Sequence, residues 1–207
     1  MKDYIIFVEG ATDKAFIENL LATLGIPCRA DKNKNVIDIE GWTNITGEPC
    51  QNQLLKAERD NKTILIIFDA DDTFKDYGGK AKRLNRLFEI LDGIASRVNI
   101  FLFPDHNSDG DFETLLQRIA HPGHKSIFEC WENYSKCVVG KSYNKPTDKS
   151  KVREFAAAID SSVWDKQGFN KSFSNSDVWS LDSPALKPLE EFLKQHLGHL
   201  IPKSPTS

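Results

Sequence analysis

Ile64-Leu65-Ile66-Ile67-Phe68-Asp69-Ala70-Asp71-Asp72 carries the strongest fold signal in the chain. Five consecutive apolar residues, three of them isoleucine, suit a strand buried on both faces, and such strands belong to parallel sheets covered by helices. The run stops at two aspartates spaced two apart. An extended backbone there aims both carboxylates to one side.

The same pattern recurs on either side. Upstream, Ile5-Ile6-Phe7-Val8 ends at Glu9-Gly10; downstream, Val98 to Phe103 ends at Pro104-Asp105; Val36-Ile37-Asp38-Ile39 is a weaker strand. Between them lie helices. Thr12 reads as an N-cap for a helix carrying Phe16, Ile17, Leu20, Leu21 and Leu24, stopped by Gly25. A short helix is predicted from Gln51 to Arg59, a longer one from Gly79 to Ile94 with Leu84, Leu87, Phe88 and Leu91 on one stripe, and another from Phe112 to Ile119. Gly78-Gly79 reads as flexible loop. This alternation predicts an α/β fold: a mostly parallel four-stranded sheet flanked by helices, with ligands at the carboxyl edge of the strands.

After Gly123 the character changes. Trp131, Tyr134 and Trp164 are scattered among helix-like segments, the stretch from Lys141 to Lys151 is polar and basic, and Ser183-Pro184 opens a final helix bearing Leu186, Leu189, Phe192, Leu193 and Leu197. The expected organisation is an α/β core over residues 1–123, a helical C-terminal extension over 124–201 packed on it, and a flexible tail over 202–207.

The 207 residues, 40% hydrophobic and 28% charged, suffice for one main core. No apolar run is long enough to span a bilayer, and Met1 to Val8 is too short and too soon acidic for a secretion signal, so no membrane association and a cytoplasmic location are expected. The four cysteines lack paired spacing, which favours reduced thiols over disulfides or structural zinc. With 27 basic and 30 acidic residues the net charge is -3, which argues against a constitutive coating of nucleic acid. It leaves a nuclease open, because clustered carboxylates are neutralised only when divalent cations bind.

In a parallel sheet the strand ends that carry Glu9, the Asp69/Asp71 pair and Asp105 share one edge. Any one of these acids is explained by capping the next helix, where the N-terminus favours negative charge. Caps account for one acid per turn, and Asp69-Ala70-Asp71-Asp72 is over-supplied. Carboxylates that close repel and raise one another's pKa, and a hard divalent ion, Mg²⁺ or Mn²⁺, relieves the repulsion.

Ile5-Ile6-Phe7-Val8-Glu9-Gly10-Ala11-Thr12-Asp13, followed some sixty residues on by Ile66-Ile67-Phe68-Asp69-Ala70-Asp71, resembles the Toprim domain of topoisomerases, bacterial primases and the overcoming-lysogenization-defect nucleases. The stretches Phe101 to Asp105, Gly110 to Glu113 and Trp179 to Leu186 resemble a small, uncharacterised, Toprim-like bacterial group. The resemblance implies a Rossmann-like core and Mg²⁺-dependent phosphodiester cleavage of DNA or RNA. Glu9 would act as general acid/base or metal ligand, and Asp69 and Asp71 would hold Mg²⁺. Asp13 and Glu113 match positions that help hold a second ion in the nuclease branch, where two ions stabilise the attacking and leaving oxygens. The basic segment Lys145 to Lys151 is similar to a lysine-bearing segment of that branch, with Lys149 or Lys151 as the cation facing the scissile phosphate. The implied partner is a nucleic-acid substrate; a homodimer is one assembly open to the chain, whose oligomeric state the sequence does not identify.

Further expectations concern these and neighbouring residues. Gly10 fits a turn where backbone approaches a ligand closely. Lys75, Lys80, Lys82, Arg83 and Arg86 place positive charge just beyond the Asp-x-Asp turn, where a nucleic-acid backbone passes, or form the wet face of a helix. Phe68-Asp69-Ala70-Asp71-Asp72-Thr73 also resembles the Asp-x-Asp-x-Thr signature of haloacid-dehalogenase-like phosphatases, with Asp69 as covalent nucleophile and Asp105 and Asp109 as the later acidic pair. A non-catalytic metal- or nucleotide-binding module is the remaining alternative. The pairs His121/His124 and His196/His199 lack an obvious third ligand and are expected at the surface.

Overall fold

The computed structural model describes residues 3–29, 34–94, 97–139, 141, 143–144, 146–161 and 173–202. Trp164, Lys145 and the tail residues 203–207 fall outside the described residues. Four strands, β1 (Tyr4–Val8), β2 (Val36–Asp38), β3 (Thr63–Asp69) and β4 (Val98–Phe103), form one sheet in the order β2-β1-β3-β4, with every neighbouring pair parallel. The continuous apolar runs are the trace of burial on both faces. Tyr4, Ile6, Val8, Leu65, Ile67, Phe101 and Phe103 feed one core, while Ile5, Phe7, Ile64, Ile66, Phe68 and Leu102 feed the other.

Helices close each face. The first core is covered by α1 (Ala11–Thr23), α4 (Phe112–Ile119), α6 (Asp148–Ile159) and α7 (Lys187–Leu197), with α5 (Ser126–Val138) packing through Ile127 and Phe128. The second is covered by α2 (Glu48–Arg59) and α3 (Lys80–Ile90). The buried apolar residues of α6 and α7 therefore share a core with β1. Trp179 is fully buried there, its ring centroid 5.7 Å from that of Phe155 and 6.0 Å from that of Phe173. Among the described residues no helix is long and apolar enough to cross a membrane.

The strand order fixes where a ligand goes. The chain runs outward from β1 to β2, then crosses back to β3 and on to β4, so the winding reverses between β1 and β3. At such a switch point the connections leave in opposite directions and open a crevice beyond the carboxyl ends of the two strands.

Several boundaries differ from expectation. Helix α1 begins two residues early, with Gly10 rather than Thr12 at its N-cap, because Asp13 reaches back to accept the Gly10 N–H at 2.9 Å. Helix α3 stops at Ile90 instead of Ile94. The Ser183 hydroxyl accepts the Ala185 N–H at 3.3 Å as the sequence suggests, but it opens a single 3₁₀ turn (Pro184–Leu186) that leads into α7.

Candidate metal centre

Glu9 leaves β1 and Asp69 ends β3, on the two strands that flank the switch point. Val8 lies opposite Ile67, and the Glu9 side chain bridges onward so that its Oε1 accepts the Asp69 backbone N–H at 2.8 Å. Asp69 Oδ1 in turn accepts the N–H of Phe112, the first residue of α4, at 2.8 Å. Two carboxylates thus tie together β1, β3 and the start of α4. Asp13 and Glu113 stand in the first turns of α1 and α4, whose N-termini favour negative charge.

Electrostatics bind these residues into one group. Burial raises the pKa of Asp69 well above the ordinary range, and the charges of Glu9, Asp13, Glu113 and Asp111 push it further. Burial likewise raises Asp13, to about 7, with Glu9 and Glu113 adding to the rise. Glu9 is raised by burial and by Asp71, against the hydrogen bond from Asp69 and the charge of Arg83. Glu113 is raised by burial and by Asp111. Lys149 in the first turn of α6 counters the rise at Asp13 and at Glu113, and Lys75 also counters it at Glu113.

Asp71 is arranged differently from expectation. Its φ is +59°, so the backbone at Asp71 is left-handed rather than extended, while its charge still bears on Glu9. Main-chain hydrogen bonds with Gly110 run in both directions and hold this turn. One Asp71 oxygen takes Arg83 Nη2 and the other takes Lys75 Nζ. Asp71 is thereby the counter-ion of a guanidinium that is 0% exposed. Arg83 lies on neither a wet face nor a surface path, because its guanidinium carbon sits 4.0 Å above the Trp42 ring and inside the protein.

The other candidates separate cleanly. Asp105 is engaged by the Ser108 and Asn107 N–H groups and by Arg118 Nη1 at 2.7 Å; against the burial that would raise it, these bonds hold it well below the carboxylate range. Asp109 accepts the Lys80 N–H at 2.7 Å. Neither has a hydrogen bond to Asp69 or Glu9 among the described residues. Lys151 pairs with Glu132 and lies 5.4 Å from the Phe128 ring centroid, and among the described residues of that segment Lys149 is the lysine whose charge acts on the acidic group. Gly10 is extended (φ -145°), and a Cβ there would have ordinary room, 3.7 Å from Asp13. Gly78 is in no loose loop: a Cβ there would lie 2.0 Å from the Asp72 carbonyl oxygen. His196 and His199 line a groove of about 560 Å³ at the opposite edge of the sheet, beside Thr63 and Asn99.

Asp111 and Trp42 complete the surroundings without having been marked by the sequence, and Lys75 and Arg83, expected along a nucleic-acid path or a wet helix face, join them through Asp71. Asp111 caps α4 through the Thr114 N–H, a role readable from its Asp-x-x-Thr spacing. Trp42 carries no local signal; it follows the tight Gly41, whose N–H donates to the Glu9 carbonyl at 2.7 Å.

Among the described residues no three carboxylate, imidazole or thiol groups already converge as a closed ligand set. The donor chemistry nonetheless suits one kind of ion. Glu9, Asp13, Asp69 and Glu113 offer only oxygen, all are partly buried, and each is destabilised in its charged form by burial and by a neighbouring carboxylate. A hard divalent cation relieves that strain and, held by few carboxylates, keeps much of its own water.

No curated protein matches the chain, and no solved structure matches it. A family model described as "Protein of unknown function (DUF3226)" matches residues 3–198, nearly the whole chain, and the protein belongs to that family.

Proposed function

We propose that the protein is a metal-dependent phosphodiesterase of the nuclease type, acting on DNA or RNA in the manner of the Toprim domains its motifs resemble. The observation that carries this reading is the direct link from Glu9 to Asp69 across the switch point, inside a group of carboxylates that burial and mutual repulsion make reluctant to ionise. Glu9, Asp13, Asp69 and Glu113 would hold Mg²⁺ or Mn²⁺. When bound, the ion would neutralise this group and polarise a phosphoryl oxygen.

The chain's own residues account for the rest. Glu9, poised by burial to keep a proton longer than an ordinary glutamate, is suited to move one at the attacking or leaving oxygen. Lys149 and Lys75 bring positive charge to the rim from two sides, where charge develops on a scissile phosphate. Asp71 serves in its present arrangement by orienting Lys75.

A haloacid-dehalogenase-like phosphatase is supported less well. It needs Asp69 as a charged, free nucleophile, and Asp69 is buried, raised in pKa and bonded to the Phe112 N–H, while Asp105 and Asp109 are engaged by Arg118 and by the Lys80 N–H. The test is single-turnover cleavage of end-labelled DNA and RNA with Mg²⁺ or Mn²⁺, for the wild-type chain beside Glu9→Gln and Asp69→Asn. Cleavage by the wild type, lost in both variants, is expected. A phosphoryl group trapped on Asp69 would favour the phosphatase, and cation binding without turnover the non-catalytic module.

A further inference from the structure

Beside Glu9, and linked to it by the Arg83 charge and the Trp42 backbone N–H, an aromatic and cationic cluster extends away from the acidic group. Arg83 stacks 4.0 Å over Trp42, Trp42 meets Tyr77 edge-on at 5.9 Å, and Arg86 lies 5.2 Å over Tyr77, so two touching rings are sandwiched between a buried guanidinium and a partly exposed one. Among the described residues, the buried side-chain nitrogens without a hydrogen-bond partner are Arg83 Nε, Arg83 Nη1 and Arg86 Nε. All three belong to this ladder. Buried N–H groups without acceptors are costly, and since Arg83 is closed to solvent, Arg86, with its side chain 36% exposed, is the one of the two that a ligand can reach.

The loop that joins β3 to α3 completes the surface. Lys75 N–H bonds to the Asp72 carbonyl at 3.0 Å, Gly78 N–H to the Lys75 carbonyl at 2.9 Å and Gly79 N–H to the Ala70 carbonyl at 2.9 Å, so consecutive turns lock the loop. This locked loop presents Phe74 at 98% exposure, with Tyr77 half-exposed beside it. A cavity of about 610 Å³ adjoins them, lined by Tyr77, Lys82, Asn85 and Arg86 together with the carboxylates Asp76 and Glu89. Arg86 Nη1 donates to Glu89 Oε2 at 2.8 Å, so an incoming phosphate would compete with that carboxylate, while the flat faces of Phe74 and Tyr77 stand open to solvent.

We propose that Phe74, Tyr77 and Arg86 form a ledge that binds an unpaired strand of nucleic acid, its bases stacking on the two rings and its phosphates meeting Arg86, and leads it to Glu9 and Asp69. The ledge rests on the phosphodiesterase reading and narrows its substrate to single-stranded or locally unpaired nucleic acid. Bases inside a duplex have their faces covered and cannot stack on Phe74, whereas bases in a single strand can.

The test is fluorescence anisotropy of the full chain with a labelled single-stranded oligonucleotide and its duplex, in EDTA so that no cleavage intervenes. The wild type is expected to bind the single strand more tightly than the duplex, with affinity falling as salt rises. Phe74→Ala, at a position too exposed to affect folding, and Arg86→Gln are each expected to weaken single-strand binding by about tenfold. Equal affinity for duplex, or no loss in either variant, would overturn the ledge. Self-association abolished by Phe74→Ala with oligonucleotide binding intact would assign the surface to a second copy of the chain instead. Glu9-dependent cleavage with an unchanged KM in Phe74→Ala would remove the ledge and leave the phosphodiesterase standing. A wild type that neither binds nor cleaves nucleic acid would remove both.

Discussion

The backbone N–H of Asp69 donates to Glu9 Oε1 at 2.8 Å, across sixty residues of sequence and from one strand end to the other. This bond is the structural core of the account. It fixes one carboxylate against the backbone of a second acidic residue at the point where the sheet's winding reverses, and the charges of Asp13 and Glu113 bear on the same spot.

Asp71 and Arg83 form a buried pair, so removing one charge leaves the other without a partner. Asp71→Asn is expected to destabilise the fold by about 3–5 kcal/mol in urea denaturation, and Arg83→Met, which removes the buried charge itself, by less. Equal and small effects of both would show that the pair is not formed in solution. Activity lost in Asp71→Asn has to be read against this loss of stability.

The pH dependence has a definite sign. Asp13 titrates near 7 when folded against an ordinary value of 3.8, so between those values the folded state keeps a proton that the unfolded chain has released. Stability contributed at this position is therefore full below the ordinary value and lost as pH rises toward 7. Relative to the metal-free wild type, Asp13→Asn should gain thermal stability as pH rises through this window and level off above it. A difference that does not change with pH would contradict the burial assigned to Asp13.

Much of this arrangement was legible in the sequence, because the strands carry strong local signals. Ile5 to Val8, Ile64 to Phe68 and Val98 to Phe103 are continuous apolar runs, and two-sided burial in a parallel sheet produces just that pattern. Glu9 and Asp69 were legible as strand-end acids on a shared edge. The fate of Asp71 was not, since its partner Arg83 is twelve residues away and a basic residue on an amphipathic helix ordinarily faces water. Gly78 was misread for a related reason: local composition shows a glycine pair, while only the folded loop shows the Asp72 carbonyl packed where a side chain would stand.

Gly78→Ala tests that loop. With the new Cβ 2.0 Å from the Asp72 carbonyl oxygen, the backbone must shift. A loss of about 1–3 kcal/mol in chemical denaturation, with faster proteolysis between Asp72 and Gly79, is expected. Unchanged stability and proteolysis would mean that the loop is open.

Trp179 tests whether the C-terminal residues belong to the main core. Its burial against Phe155 and Phe173 predicts that Trp179→Ala costs about 3–5 kcal/mol and lowers the midpoint of a single cooperative unfolding transition. A separate early transition, with the rest unaffected, would indicate an independent unit.

Calorimetric titration of Mn²⁺ into the wild-type chain, Glu9→Gln and Asp69→Asn reaches the central claim most directly. If Glu9 and Asp69 share one cation, the wild type binds Mn²⁺ with release of protons from the raised carboxyls, and each single variant binds markedly more weakly while remaining folded. Wild-type affinity retained in both variants would contradict a shared cation at the switch point.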